Sequence, residues 1–342
     1  MCIRDRSVGK LHRFLDSTKL PAATDQPALI METSSLMDEV EKLQMNCNAI
    51  LGNPVEDDIH WISNDQVRGR STVSINSAPL DISSTLASDL FQHKDSVVLT
   101  SATLSTEGNF NYFKSRVGIG VDSEELLVGS PFDYQKAALL LIPEDMPAPN
   151  SDRYVDAVGR VLTDLGSGMK GRTMALFTSY SALRAVAQRL RAPLMAEGVQ
   201  VLAQSVDGSA QQLMTRFAEE PDSVLLGTAS FWEGVDMPPG LLKALVLARL
   251  PFQVPTDPVV RARSEQYEEP FSQFSVPQAV LRFRQGFGRL IRNKEDKGTI
   301  LIMDNRITAK GYGSSFMRSI PPCTMQPSSL STAGKLATQW IG

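Results

Sequence analysis

Short apolar runs alternate with helical patterns through most of the chain from position 96 onward. Each run has the length of a strand buried on both faces, because such strands are continuously hydrophobic rather than alternating. Helical spacing of apolar residues follows in segments such as 181–190 and 209–219. This alternation predicts an α/β fold, in which a parallel sheet is covered by helices on both faces and functional residues follow the carboxyl ends of strands. The predicted strands are 97–99, 139–142, 174–177, 199–202, 224–226, 244–247 and 300–303.

The first 70 residues have a different pattern. Leu36, Val40 and Leu43 recur at helical spacing within a run from 29 to 51, and a Gly-Asn-Pro sequence ends that run. Two short strands are predicted at 59–62 and 72–75, with a polar connection between them. This part therefore reads as a helical accessory region, and we interpret its first six residues, which resemble no ordered element, as a cloning or assembly scar.

Composition limits the functional classes. The 342 residues suffice for two domains, and with 42% hydrophobic residues and no apolar run of bilayer length a membrane role is not expected. Cys2, Cys47 and Cys323 are too scattered for a disulfide framework or an iron–sulfur cluster, which predicts a reducing, cytoplasmic compartment. The net charge of −4 argues against a protein that coats nucleic acid indiscriminately, although segment 276–294 carries five basic residues and no acidic one.

Small polar residues follow several of the predicted strands. Hydroxyl and amide groups in this position can hydrogen-bond a phosphate without filling the crevice at the sheet edge. The alternative for each is a helix cap or a local turn, which the sequence favours about equally. The residues concerned are Ser101 and Thr103 after the first run, Thr178 and Ser179 after the third, Gln204 after the fourth, and Thr228 and Ser230 after the fifth. The last of these runs continues through Glu233, Gly234 and Asp236, where glycine lets the backbone pass close to a ligand and the aspartate can accept hydrogen bonds.

The segment 285–292 is the most informative in the chain. In a helix or helix-turn, Gln285, Arg289 and Arg292 are spaced by four and three residues and would share one face around Gly288. Two arginines so close together repel each other, but they suit a triphosphate whose transition-state charge is stabilised by an arginine finger. The alternative is a solvated basic face.

These segments together resemble a known family. Ser101-Ala102-Thr103, Thr178-Ser179, 227–236 and 285–292 occur in the order of motifs III to VI of superfamily two helicases. The flanking residues resemble the DinG branch, relatives of XPD, over roughly 70–322. They include Ser130-Pro131-Phe132, Leu250-Pro251-Phe252 and Asp304-Asn305-Arg306. Each motif alone has modest specificity, but their combination is highly specific.

The resemblance implies a division of the chain and a role for each motif. Residues 1–70 would be the tail of a helical Arch-like insertion, 71–128 the end of a first RecA-like domain, 129–322 a second RecA-like domain, and 323–342 a C-terminal tail. ATP would lie between the two RecA-like domains, with one DNA strand running across them. The implied catalytic residues are Arg292 as the finger, Arg289 and Gln285; those at the nucleotide are Asp236, Glu233, Gly234 and Gly288; the coupling residues are Ser101 and Thr103; and those facing DNA are Thr178, Ser179, Gln204, Thr228 and Ser230.

The sequence also departs from the family. It contains no Gly-x-x-x-x-Gly-Lys-Ser/Thr loop and no acidic box for magnesium. We therefore expect a C-terminal part of an ATP-dependent DNA helicase of repair or replication, a monomer acting on single-stranded DNA. ATP and Mg²⁺ would be held mainly by a missing N-terminal half, without which the chain would be inactive. An iron–sulfur cluster would belong only to the full-length protein.

Two alternatives come from other classes. One is a non-catalytic nucleic-acid-binding module that keeps the fold and has lost ATPase activity. The other is an unrelated α/β nucleotide-binding enzyme, which the lack of a Gly-x-Gly-x-x-Gly turn after any strand argues against.

Overall fold

The computed structural model describes residues 26–52, 57–67, 70–106, 108–120, 122–232 and 238–342. They fall into two compact units, 1–81 and 82–342. The predicted boundaries at 70, 128 and 322 stay predictions, and the first six residues lie outside the described ranges. No helix of the described residues is both long and apolar enough to cross a bilayer.

The first unit contains one helix and one hairpin. Helix α1 (Gln26–Cys47) continues into a π-helical turn (Asn48–Gly52), and β1 (Asp58–Val67) pairs with β2 (Arg70–Pro79) in antiparallel register. The helix agrees with the prediction for 29–51, but Leu36, Val40 and Leu43 are exposed. The hairpin corrects the predicted polar connection. Residues 63–67 extend β1 instead, and Asn76 Nδ2 donates to Ser63 Oγ across the two strands over 3.1 Å.

In the described part of the second unit, seven parallel strands form one sheet in the order β5-β6-β4-β7-β8-β3-β9. Six of them coincide with predicted apolar runs and are almost entirely buried, as continuous hydrophobicity requires. The parallel α/β sheet is thereby confirmed. The strands are β3 (Ala138–Pro143), β4 (Thr173–Leu176), β5 (Gln200–Ala203), β6 (Ser223–Gly227), β7 (Ala244–Leu247), β8 (Gly298–Ile302) and β9 (Thr324–Ser328).

Helices cover both faces of this sheet. One apolar layer packs the strands against α7, α10 and α12, and the other packs them against α5, α6 and α13. The helices are α2 (Ser83–Leu86), α3 (Asn111–Val117), α4 (Tyr134–Ala137), α5 (Tyr154–Gly168), α6 (Tyr180–Ala196), α7 (Ala210–Glu219), α8 (Ala229–Trp232), α9 (Pro258–Ser264), α10 (Val276–Phe287), α11 (Arg306–Ala309), α12 (Gly313–Ser319) and α13 (Ala333–Ile341). Two π-helical turns (Ala87–Phe91 and Phe271–Ser275) complete the unit.

The strand predicted at 97–99 is wrong. Val97, Val98 and Leu99 have no regular structure and are exposed, Val98 to 86%. Among the described residues no strand pairs with this run, so its backbone lacks the ladder that a strand needs. Segment 323–342 contains two elements that were not predicted, the edge strand β9 and helix α13.

Candidate functional site

The predicted DNA-facing residues lie at one edge of the sheet. Strands β5, β6 and β4 are neighbours, and Gln204, Thr228 and Thr178 follow their respective carboxyl ends directly or after one residue. Because all strands of the sheet are parallel, these ends share one edge. The structure therefore brings together residues that are up to 50 positions apart in the sequence, as the strand-end pattern predicted.

Gln204 links this edge from strand to strand. Its Oε1 accepts a hydrogen bond from the backbone N–H of Thr228 over 2.7 Å and from Thr228 Oγ1 over 2.9 Å. Its Nε2 donates to Ser230 Oγ over 2.7 Å. Gln204 and Thr228 are buried, whereas Ser230 is exposed. Gln204 thus fixes the turn that carries both hydroxyls.

Ser179 caps the helix that follows β4. Its Oγ accepts from the backbone N–H of Ala182 over 3.3 Å at the start of α6, and Thr178 beside it is half-buried. The helix-cap alternative therefore holds for Ser179. A cap leaves the hydroxyl hydrogen of Ser179 available, so capping and phosphate binding by this residue are compatible.

The arginine segment adopts a different geometry from the predicted one. Helix α10 ends at Phe287, the N–H of Arg289 donates to Gly286 O over 3.1 Å in a turn, and Arg292 lies in irregular backbone. The prediction that Gln285, Arg289 and Arg292 share one helical face is therefore wrong. Beyond the end of the helix, Leu290 and Ile291 are buried in the core.

This segment also precedes a strand rather than following one. The loop after α10 enters β8 at Gly298, which is the amino end of the strand. The two predicted arginines consequently lie toward the sheet edge opposite Gln204 and Thr228. The predicted DNA-facing residues Thr178, Gln204 and Thr228 thus follow strands, whereas the two predicted arginines precede one.

Asp296 holds the backbone of the arginine loop. Its Oδ2 accepts from the N–H of Arg292 over 2.7 Å and from the N–H of Asn293 over 3.0 Å, and its side chain is buried. Asn293 Oδ1 in turn accepts from the N–H of Asp296 over 2.7 Å. Asp296 was not among the predicted site residues. Its signal was an Asn and an Asp three positions apart, which is typical of side chains that close a loop on its own backbone.

Gln285 has a buried oxygen without a described donor, and Gly288 is exposed. Gln285 Oε1 is buried, and no hydrogen-bond donor among the described residues reaches it. Gly288 is exposed, has an ordinary φ of −65°, and a Cβ built there would be 3.5 Å from its nearest neighbour. The fold therefore does not itself require glycine at this position.

Ser101 and Thr103 form a local hydroxyl turn that is joined to α10. The Thr103 N–H donates to Ser101 Oγ over 3.2 Å, and the two hydroxyls are 3.3 Å apart. Arg284 Nη2 donates to Ala102 O over 2.8 Å, and Arg284 Nη1 donates to Ser105 O over 2.6 Å and to Ser105 Oγ over 3.0 Å. Burial lowers the pKa of Arg284 from its ordinary value. Arg284, which immediately precedes Gln285, was missed because its partners are 179 to 182 positions away.

Replacing Arg284 with methionine should loosen segment 101–106. The change leaves the buried oxygens of Ser105 without their donor, which costs about 1–3 kcal/mol. Hydrogen–deuterium exchange should show faster exchange at the amides of Thr103 and Thr106 in Arg284→Met. Arg261→Met is the matched control, since Arg261 is exposed and pairs with Glu265 within its own helix end. Equal protection of segment 101–106 in the two variants would contradict the assignment.

Two further predictions concern the nucleotide contacts and the magnesium ion. Glu233, Gly234 and Asp236, which were predicted to contact the nucleotide, lie outside the described residues. Within the described ranges, no three His, Cys, Asp or Glu side chains gather where they could hold a metal ion. The described residues therefore do not fit a magnesium site.

Comparison with known proteins identifies the region. Residues 162–323 match the helicase C-terminal domain family. The chain is 37% identical over 275 residues to the 3'-5' exonuclease DinG of Bacillus subtilis, covering 78% of this chain and 30% of the relative. It is 33% identical over 336 residues to the ATP-dependent DNA helicase DinG of Photobacterium profundum, covering 93% and 48% respectively. Residues 162–323 therefore form a helicase C-terminal domain, and the chain as a whole is similar to the C-terminal region of DinG-type helicases. It spans less than half the length of these DinG relatives.

Solved structures support the fold of this DinG-type region. A structure titled XPD helicase superposes with a TM-score of 0.55 at 17% identity, covering 75% of this chain and 48% of that chain. A second, titled XPD apo, gives a TM-score of 0.54 at 17% identity, covering 91% and 64% respectively. The predicted RecA-like α/β fold and the resemblance to the DinG branch are confirmed.

Proposed function

We propose that the chain is the C-terminal part of an ATP-dependent DNA helicase of the DinG and XPD-like type, acting as a monomer in DNA repair or replication in the cytoplasm. Its proposed contributions are an arginine finger and half of a track for single-stranded DNA. The observation that carries this function is that two sets of residues lie toward opposite edges of the sheet. A row of polar side chains ends β5, β6 and β4, and an arginine loop held by Asp296 precedes β8.

The arginine loop suits the triphosphate of ATP. In this proposal Arg292 is the finger, with Arg289 and Gln285 beside the phosphates, and Glu233, Gly234 and Asp236 complete the nucleotide side. Gln285 Oε1, which no described donor reaches, is left to accept a hydrogen bond from a donor group outside the described residues, and Gly288 is exposed. ATP supplies the phosphoryl group, and the two arginines would orient it and offset its charge.

Two apolar runs support the proposal that 71–128 ends a first RecA-like domain. Val97 to Leu99 and Leu126 to Val128 have strand length and composition, yet they are exposed, with Leu126 at 80%. All similar runs between 138 and 303 are buried in the sheet. Runs of this kind are suited to pairing with further strands. In this proposal the remaining strands, the phosphate loop and the magnesium ligands lie outside these 342 residues.

The test uses the chain alone and a chimera. The chain alone should bind fluorescein-labelled oligothymidine in a salt-sensitive way, as measured by anisotropy, and should show no ATP turnover above background. In the chimera the chain replaces the matching segment of Photobacterium profundum DinG, and DNA-stimulated ATPase should be present. Turnover by the repurified chain alone would reject the division of labour. DNA binding together with a stable but inactive chimera would favour the non-catalytic module.

A further inference from the structure

The hydrogen bonds around Gln204 determine the orientation of its side-chain amide. A backbone N–H can only donate, so the Gln204 atom that is 2.7 Å from the Thr228 nitrogen has to be the carbonyl oxygen. The other terminal atom is therefore the NH₂ nitrogen, which faces Ser230 Oγ at 2.7 Å. The direction of every hydrogen bond in this cluster follows from that assignment.

The hydroxyl of Thr228 has no hydrogen left for a ligand. Gln204 Oε1 carries no hydrogen, so in the 2.9 Å contact Thr228 Oγ1 has to be the donor. Thr228 is also 5% exposed. A phosphate oxygen is an acceptor, and the hydroxyl of Thr228, whose one hydrogen is already committed, can offer it nothing.

The hydroxyl of Ser230, by contrast, keeps a hydrogen that it can donate. Gln204 Nε2 is a donor without a lone pair, so Ser230 Oγ accepts and keeps its own hydrogen. Ser230 is exposed, and no described residue accepts that hydrogen. Because Gln204 Nε2 donates to the Ser230 oxygen and restricts its rotamer, the O–H can point away from the sheet edge without a further large loss of rotamer entropy on binding.

We propose, on the basis of the single-strand binding proposed above, that Ser230 rather than Thr228 donates to a backbone phosphate. Gln204 is the positioning residue that sets the direction of the Ser230 O–H. Thr228 anchors Gln204 and does not touch the strand. The contact carries no base information, because only a phosphate oxygen is read.

The first part of the experiment compares two hydroxyl deletions on the same turn. Ser230→Ala should weaken oligothymidine binding by the chain about tenfold, as expected for a hydrogen bond to a charged group. Thr228→Val keeps the side-chain shape and the backbone N–H that holds Gln204 Oε1, so it should weaken binding clearly less than Ser230→Ala does. The slope of log affinity against log salt should stay the same in both variants, because no cation is removed.

The second part uses Gln204→Glu to reverse one hydrogen bond. A carboxylate oxygen in place of Nε2 accepts the Ser230 hydrogen, so Ser230 can no longer donate outward. Affinity should fall by at least the factor seen with Ser230→Ala. The new charge could also repel phosphate directly, and a double-mutant cycle separates the two effects. If Gln204 acts through Ser230, the loss caused by Gln204→Glu should shrink about tenfold in the Ser230→Ala background.

The outcomes separate this assignment from the proposed function. Salt-sensitive binding by the parent chain with unchanged affinity in Ser230→Ala, or with a larger loss in Thr228→Val, would overturn the assignment alone. Purely additive losses in the cycle would remove the positioning role of Gln204. A parent chain that binds no single strands would reject the proposed function and this contact together. Circular dichroism of each variant confirms that the fold is retained.

Discussion

Arg292→Ala in the chimera should lower DNA-stimulated ATP turnover by about 10³-fold or more. An arginine finger stabilises charge that develops on the transferring phosphoryl group, so its loss acts on the rate rather than on substrate binding. Turnover at saturating ATP, measured with a coupled assay, should carry most of the effect. Affinity for single strands should change little, because the arginine loop lies toward the sheet edge opposite Thr178, Gln204 and Thr228.

Lys294→Ala is the matched control for this prediction. Lys294 is an exposed cation two positions further along the same loop, so its removal tests whether general positive charge suffices. Arg292→Lys keeps the charge but loses the planar fork that binds phosphate through two N–H groups, and it should restore only a small part of the rate. Turnover equal to that of the parent in Arg292→Ala would reject the finger.

The sheet could be predicted from the sequence wherever burial is complete on both faces. Strands β3 to β8 are continuous apolar runs, and at that length between turn residues such a run is typical of a fully buried strand. Val97 to Leu99 shows the same pattern without forming a strand, because pairing depends on a neighbour that the run itself does not encode. Strand β9 was missed because it is not a continuous, buried apolar run. It is an edge strand with Pro327 within it and exposed residues such as Met325.

The candidate site could likewise be predicted only in part. Thr178, Gln204 and Thr228 could be placed on one edge, because parallel strands bring their carboxyl ends together. Their chemistry could not be predicted from spacing. Whether a hydroxyl donates or accepts depends on partners such as Gln204, which is 24 to 26 positions from the groups it binds. Arg284 presents the same difficulty over a much longer separation.

Asp304 follows β8 and joins two strand ends through its carboxylate. It is fully buried, and its Oδ2 accepts from the N–H of Leu250, which follows β7, over 2.9 Å. Arg306 donates to the same carboxylate through Nη2 over 2.6 Å and through Nε over 2.9 Å. This pairing raises the pKa of Arg306 above its ordinary value. The guanidinium also lies 5.6 Å from the ring centre of Phe252.

Asp304→Ala should therefore destabilise the second unit by about 3 kcal/mol or more. The change leaves a half-buried guanidinium without its counter-charge and the buried N–H of Leu250 without an acceptor, and removing one partner of a buried pair typically costs about 3–5 kcal/mol. The measurement is the urea midpoint followed by far-UV circular dichroism, with the slope compared between variants. Asp304→Asn keeps the volume and one acceptor oxygen, so it should cost less.

Asp156→Ala is the matched control, since it removes an aspartate from an arginine pair of similar geometry. Asp156 Oδ1 and Arg189 Nε are 2.5 Å apart, but both side chains are about half exposed. Water solvates the Arg189 charge that remains after the substitution, so the loss should stay within about 1 kcal/mol. The difference between the two substitutions isolates burial as the cause. Equal shifts of the urea midpoint would show that Asp304 contributes no more than a surface charge, and its role in joining β7 to β8 would be rejected.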